Sequence, residues 1–183
     1  HAVADIAGLN DITRAVIGNA AHAAAGMAIN SIPDLKTSKR AIGMTMFGVT
    51  TAAITQIREH LQKDNECFVF HATGMGGQCM EKLIDSGFLK AAIDLTTTEV
   101  ADFLFGGTLP CTADRFGAVI RTRIPYVASV GAVDMINFGP RDTVPARYND
   151  RNLYVHNPVV TLMRTTPEEN GTIGTWIVER LNR

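Results

Sequence analysis

Apolar residues along this chain follow two alternating rhythms: short unbroken runs, and longer stretches in which they recur every three or four positions. Runs of the first kind suit strands covered on both faces, and the second kind suit helices with one covered face. A first helix is predicted from Asn10 or Asp11, with Ile12, Val16, Ala20, Ala23 and Met27 at helical spacing. Arg40 to Phe47 reads as a strand ending at Gly48, and Thr50 and Thr51 are placed to cap a helix carrying Ile54, Ile57 and Leu61. Cys67 to His71 (CFVFH) is apolar enough for a buried strand. A glycine-rich turn then leads into a helix with Met80, Leu83 and Ile84, and Gly87 stands where a C′ glycine belongs.

Ala91 to Leu95 reads as a third strand, and Thr96-Thr-Thr-Glu99 opens a helix that Gly106 and Gly107 end. Beyond it the pattern predicts a helix at Thr112 to Ile120, a strand at Tyr126 to Val130, a loop over 139–152 and a last strand at Val159 to Met163. The final helix has the strongest start signal: Thr166 as N-cap, Pro167 at the first helical position and Glu169 completing a capping box. Strands alternating with helices predict βαβ units. The expected fold is α/β: one domain over residues 1–183, three-layer α/β/α, with a mostly parallel Rossmann-like sheet.

Composition narrows the class. The chain has 183 residues, 46% of them apolar and 19% charged, which excludes a disordered chain. A net charge of −1 offers no broad basic field, so neither nucleic acid nor a membrane is expected as partner. Cys67, Cys79 and Cys111 form no CxxC pair, which reads as reduced thiols and a cytoplasmic protein. No signal peptide is visible, and a start at His1 rather than Met suggests a processed or partial chain.

The candidate chemistry lies where apolar strands give way to helices. Gly48, Thr50 and Thr51, the run Thr73-Gly74-Met75-Gly76-Gly77, Thr96 to Thr98, and Thr165-Thr166 all stand at such junctions. In an open parallel sheet these ends share one edge, where ligands bind. Helix N-termini there favour anions, and glycines let backbone approach a phosphate or carboxylate closely. The glycine turn matches neither the P-loop nor the dinucleotide fingerprint. His71 would sit at that edge as an acid/base group or a phosphate donor, with Asp94 or Asp134 as partner, and His156 is similar. Asp94 or Glu99 is placed to hold Mg²⁺ with a nucleotide. Arg115 and Arg164 are candidates for an ion pair or a substrate anion, and Cys79 for buried packing. No histidine spacing suggests a dedicated metal site.

Several strings occur in a fixed order: Met46-Phe-Gly-Val-Thr-Thr51, His71-Ala-Thr-Gly-Met-Gly-Gly77, Asp94-Leu-Thr-Thr-Thr-Glu99, Asn137-Phe-Gly-Pro140, His156-Asn-Pro158 and Leu162-Met-Arg-Thr-Thr-Pro-Glu-Glu169. With them, from Asp5–Asn10 to Leu181-Asn182, the chain resembles the C-terminal domain of an uncharacterised two-domain family of bacteria, fungi and plants, commonly described as Tm-one-like ATP-binding proteins. The resemblance implies an N-terminal α/β domain as partner, and a nucleotide as the first ligand to consider. The leading expectation is therefore a domain that binds a small anionic ligand such as ATP with Mg²⁺ and assembles as a homo-oligomer. The alternatives are an enzyme acting on a small carboxylate or phosphorylated metabolite through His71, and a protein-interaction module.

Overall fold

The computed structural model describes residues 8–31 and 39–182. His1 and the beginning of the Asp5–Asn10 string lie outside them. The chain divides after Thr37 into two units. In the first, α1 (Asp11–Ile29) starts with the reciprocal cap that its sequence encodes. Asn10 Oδ1 accepts from the Thr13 amide and Thr13 Oγ1 from the Asn10 amide, each at 2.9 Å. Ile12 and Met27 of the predicted apolar face are exposed.

In the second unit, β1 (Arg40–Met46), β2 (Asn65–His71), β3 (Ala91–Thr96) and β4 (Tyr126–Gly131) form a parallel sheet in the order β2-β1-β3-β4. Alternation along β1 decides what covers it. Ile42 and Met44 meet Ile54 of α2 (Thr51–Leu61) on one face. Gly43 faces the other way, where an added Cβ would come within 2.8 Å of Leu89 and 3.0 Å of Met80, the latter on α3 (Met75–Asp85). The missing side chain lets α3 close on the sheet, and the result is three layers. α3 ends as predicted: Gly87 adopts φ 72°, and the Phe88 and Gly87 amides return to the Leu83 and Ile84 carbonyls. The CFVFH run proves to be an edge strand rather than a buried one. Among the described residues β2 has β1 as its only neighbour, and Phe68 and Val69 are 38% and 36% exposed.

Residues 135–164 depart from the alternating pattern. β5 (Met135–Phe138), β6 (Leu153–Asn157) and β7 (Val160–Arg164) form a separate antiparallel sheet in the order β5-β7-β6. β7 is the strand expected at Val159 to Met163, but its partners are β5 and β6, which are too short to read from periodicity. The predicted loop over 139–152 contains two 3-10 turns, Arg141–Thr143 and Ala146–Tyr148. α4 (Thr98–Phe105) and α6 (Pro167–Leu181) pack beside this sheet, and Ile136, Phe138, Met163, Ile173 and Ile177 share one core with α3 and α4. The helix expected at Thr112 to Ile120 is reduced to α5 (Gly117–Thr122), because Phe116 at φ 73° cannot continue it N-terminally. α6 has its predicted capping box, with the Glu169 amide donating to Thr166 Oγ1 at 3.2 Å and the Thr166 amide to Glu169 Oε2 at 2.8 Å. Among the described residues no helix is long and apolar enough to cross a membrane.

Candidate functional site

The parallel sheet brings the ends of β1, β2 and β3 to one edge, as expected. Gly48 and Thr50 follow β1, Thr73 to Gly77 follow β2, and Thr97 and Thr98 follow β3. Most of these groups bond within the chain. Thr50 Oγ1 accepts from the Phe47 amide and meets Thr96 Oγ1 at 2.7 Å, tying β1 to β3. A 3-10 turn, Gly48–Thr50, precedes α2, so Thr50 closes that turn instead of capping the helix, while the exposed Thr51 reaches only the Phe47 carbonyl, at 3.4 Å. Thr96, Thr97 and Thr98 are buried; Thr97 donates to the Ser129 carbonyl and Thr98 accepts from Asn137. Thr165 and Thr166 follow β7 of the antiparallel sheet: the Thr165 amide donates to the Asp134 carbonyl just past β4, Thr165 Oγ1 donates to Asn170, and Thr166 caps α6.

The glycines of the turn are likewise demanded by the chain itself. Gly74 has φ 77°, and a Cβ there would strike the Pro110 carbonyl. A Cβ on Gly76 would strike the His71 carbonyl, and one on Gly77 the carboxylate of Glu99. The turn is thus packed from behind by α4 and the 109–111 segment.

A cavity of about 710 Å³ opens between this edge and the antiparallel sheet. The edge of the parallel sheet contributes Phe47, Gly48, His71 and Thr73; the antiparallel sheet contributes Asn137, His156 and Leu162, and its β6–β7 turn contributes Val159. His71 stacks obliquely on Phe47, with ring centroids 5.3 Å apart, and His156 similarly neighbours Tyr154 at 6.4 Å. Among the described residues lining the cavity there is no Lys, Arg, Asp or Glu. It is an apolar chamber with a few polar groups, which is the usual make-up of a small-molecule site. Phe47, the last residue of the first predicted strand, is part of its wall.

The acidic residues singled out in the sequence lie elsewhere, in a buried cluster on Arg115. Arg115 Nη2 is 2.9 and 2.7 Å from the two oxygens of Asp94, Nη1 is 3.2 Å from Glu81 Oε1, and Nε is 3.2 Å from Glu99 Oε1. Asp94 also accepts from Thr45 at 2.6 Å and from the Tyr126 hydroxyl at 2.7 Å. Its oxygens are therefore committed to these three groups and not to His71, so the expected His71–Asp94 pair is not formed. Phe116 accepts left-handed backbone and thereby donates its amide to Glu81. Burial works against the Arg115 cation, but Asp94, Glu99 and Glu81 outweigh it and hold it charged. Burial, with Asp94 nearby, raises Glu99 from 4.5 to about 7 against the pull of Arg115. Glu81 is also raised by burial. Burial lifts Asp102 to about 6 against the amides of Asn137 and Leu109.

This arrangement does not fit Mg²⁺. The carboxylates expected to hold it are spent on Arg115, and no cluster of three or more His, Cys, Asp or Glu suited to a metal occurs among the described residues. Arg164 pairs with Asp134 at 3.0 Å on the surface. Cys79, expected to be buried, is exposed, and Cys111 is the buried thiol. Sequence reading missed Glu81 and the wall residues Asn137 and Leu162 as site groups; nothing local marks them, because distant segments bring them in.

Residues 39–183 match the model of the uncharacterised protein family (UPF0261) C-terminal domain. A UPF0261 protein of Rhizobium meliloti is 59% identical over 180 residues, covering 98% of this chain and 45% of its own. One from Clostridium tetani is 49% identical over 184 residues, covering 46% of its length. The tomato ToMV resistance protein Tm-1(GCR237) is 45% identical over 187 residues, which are 25% of that protein. The chain thus spans less than half the length of these relatives, which carry a further N-terminal domain. It belongs to the UPF0261 family, as the C-terminal domain of that two-domain architecture.

Proposed function

We infer that this domain binds a small molecule with an apolar body and one anionic group in the cavity between its two sheets. The observation that carries this is the pairing of a largely apolar chamber with His71 and His156, which enter it from different sheets. Imidazoles donate to a carboxylate or a single phosphate without any fixed positive charge. The same lining argues for a monoanion ahead of a nucleoside triphosphate, whose charge would meet no Lys or Arg there. ATP, implied by the family resemblance, remains the competing ligand in the test. An acid/base reaction at this site would use His71 with His156 across the cavity, since Asp94 is committed to Arg115.

The experiment is thermal unfolding of this chain with Mg·ATP, inorganic phosphate and short-chain carboxylates, repeated on His71→Ala and His156→Ala. A ligand at 100 times its Kd adds about 2.7 kcal/mol. At roughly 2–4 °C per kcal/mol, that is a readable shift. A shift with carboxylate that shrinks in both variants supports the reading. A shift confined to Mg·ATP replaces it with the nucleotide reading, and no shift with any ligand overturns both.

A further inference from the structure

The lining of the cavity divides by exposure into a rim and an interior. His71 and His156 are exposed, and so are Val49 and Val159. Phe47, Leu109, Met135 and Leu162 are half-buried. These four come from both walls, so an apolar interior lies behind the rim. Among the described lining residues, the two imidazoles are the only side chains able to carry charge, and both are at the rim. The threonine hydroxyls are spent on the chain: Thr108 Oγ1 donates to the Asn137 carbonyl at 3.1 Å, and Thr73 Oγ1 to the His71 carbonyl at 3.4 Å.

This division sets the direction of a bound amphiphile. A carboxylate in the interior would lose its water where the lining offers no cation, which is costly. At the rim it stays hydrated and accepts from the imidazoles. A hydrocarbon chain gains in the opposite place, because each methylene fully buried multiplies affinity about fourfold. The volume of about 710 Å³ lies in the range of sites for drug-sized molecules, so a chain as short as that of butanoate would leave most of it empty. A phosphate monoester brings about −1.5 to −2 charges, more than two neutral imidazoles match, which favours a carboxylate.

We propose that the cavity receives a medium-chain monocarboxylate tail first: the chain lies among Phe47, Leu109, Met135 and Leu162, and the carboxylate stays at the rim with His71 and His156. The proposal deepens the binding reading above, rests on it, and adds the chain length and the direction of entry.

The test titrates the wild-type chain calorimetrically with butanoate, octanoate, octanedioate and N-octanoylglycine. Octanoate is expected to bind at least about tenfold tighter than butanoate, since full burial of the added methylenes would give more. Octanedioate would carry a second charge into the interior and should bind about tenfold or more weaker than octanoate. N-octanoylglycine, altered only at the head, should stay within about threefold of octanoate, as rim contacts contribute little. The Leu109 and Leu162 methyl resonances should move with octanoate. Equal affinity for butanoate and octanoate overturns the proposal, and so does octanedioate binding as tightly as octanoate. A loss of about tenfold with N-octanoylglycine would place the head inside and overturns it too. Unmoved Leu109 and Leu162 methyls would put octanoate elsewhere, with the same consequence. If none of the probes binds, the cavity reading itself falls and this proposal with it.

Discussion

Arg115 Nε lies 3.2 Å from Glu99 Oε1, and the two side chains are 2% and 0% exposed. With Asp94 and Glu81 on the same guanidinium, one cation serves three carboxylates drawn from β3, α3 and α4.

Removing that cation leaves buried acids without a counter-charge. Arg115→Met is expected to cost about 3–5 kcal/mol in urea unfolding. Arg115→Lys should recover little of it, since one ammonium cannot reach three acids at the guanidinium's spacing. A loss under about 1 kcal/mol for Arg115→Met would mean that the acids are neutral in the folded protein.

The raised Glu99 makes stability fall with rising pH. The folded state binds the Glu99 proton more tightly than the unfolded one, so its contribution is fully present below 4.5 and is lost as pH rises through about 7. The loss is of the order of 3 kcal/mol. Asp102, raised from 3.8 to about 6, acts in the same direction. Urea unfolding at pH 5 and pH 8 should therefore show the wild type weaker at pH 8. Glu99→Gln should flatten the difference by more than half; an unchanged slope would remove Glu99 as its source.

Glycine at position 77 is set by Glu99. A Cβ there would press on a carboxylate that Arg115 holds in place, so Gly77→Ala should cost about 1–3 kcal/mol. Gly48 is the control: an added Cβ there would meet nothing within 4 Å, and Gly48→Ala should stay within about 0.5 kcal/mol of wild type. Equal melting temperatures for the two variants would contradict the packing of the turn on Glu99.

The thiols should differ sharply in reactivity. Cys79 is exposed on α3, whereas burial pushes the Cys111 thiol up to about 12. Iodoacetamide at pH 8, read by peptide mass spectrometry, should label Cys79 first and Cys111 only on unfolding. Early labelling of Cys111 would mean that its surroundings open in the native state.

The alternation of apolar run and helix made the parallel sheet legible, because each buried strand must be continuous and each helix must show one face. The caps of α1 and α6 were equally legible, since every contact in them spans three residues. The antiparallel sheet was not: β5 and β6 are short and polar at Asn137 and His156, the positions that line the cavity. The glycine turn was recognisable as tight, but its local sequence cannot distinguish a turn open to an anion from one filled by its own chain. Pro110 and Glu99 make that difference, and both lie far along the chain. Arg115 likewise has no local mark of burial, because its partners come from three other elements.

The two walls of the cavity are held up by different means. One is the terminus of a sheet anchored on Arg115; the other is the 135–164 segment, joined to α4 through Asn137 and Asp102. Mutational drift in β6 and the β6–β7 turn, at His156 or Val159, therefore leaves the charged core untouched. Grafting that turn from one relative onto another should therefore rebuild one wall of the cavity while the parallel sheet keeps its anchor on Arg115.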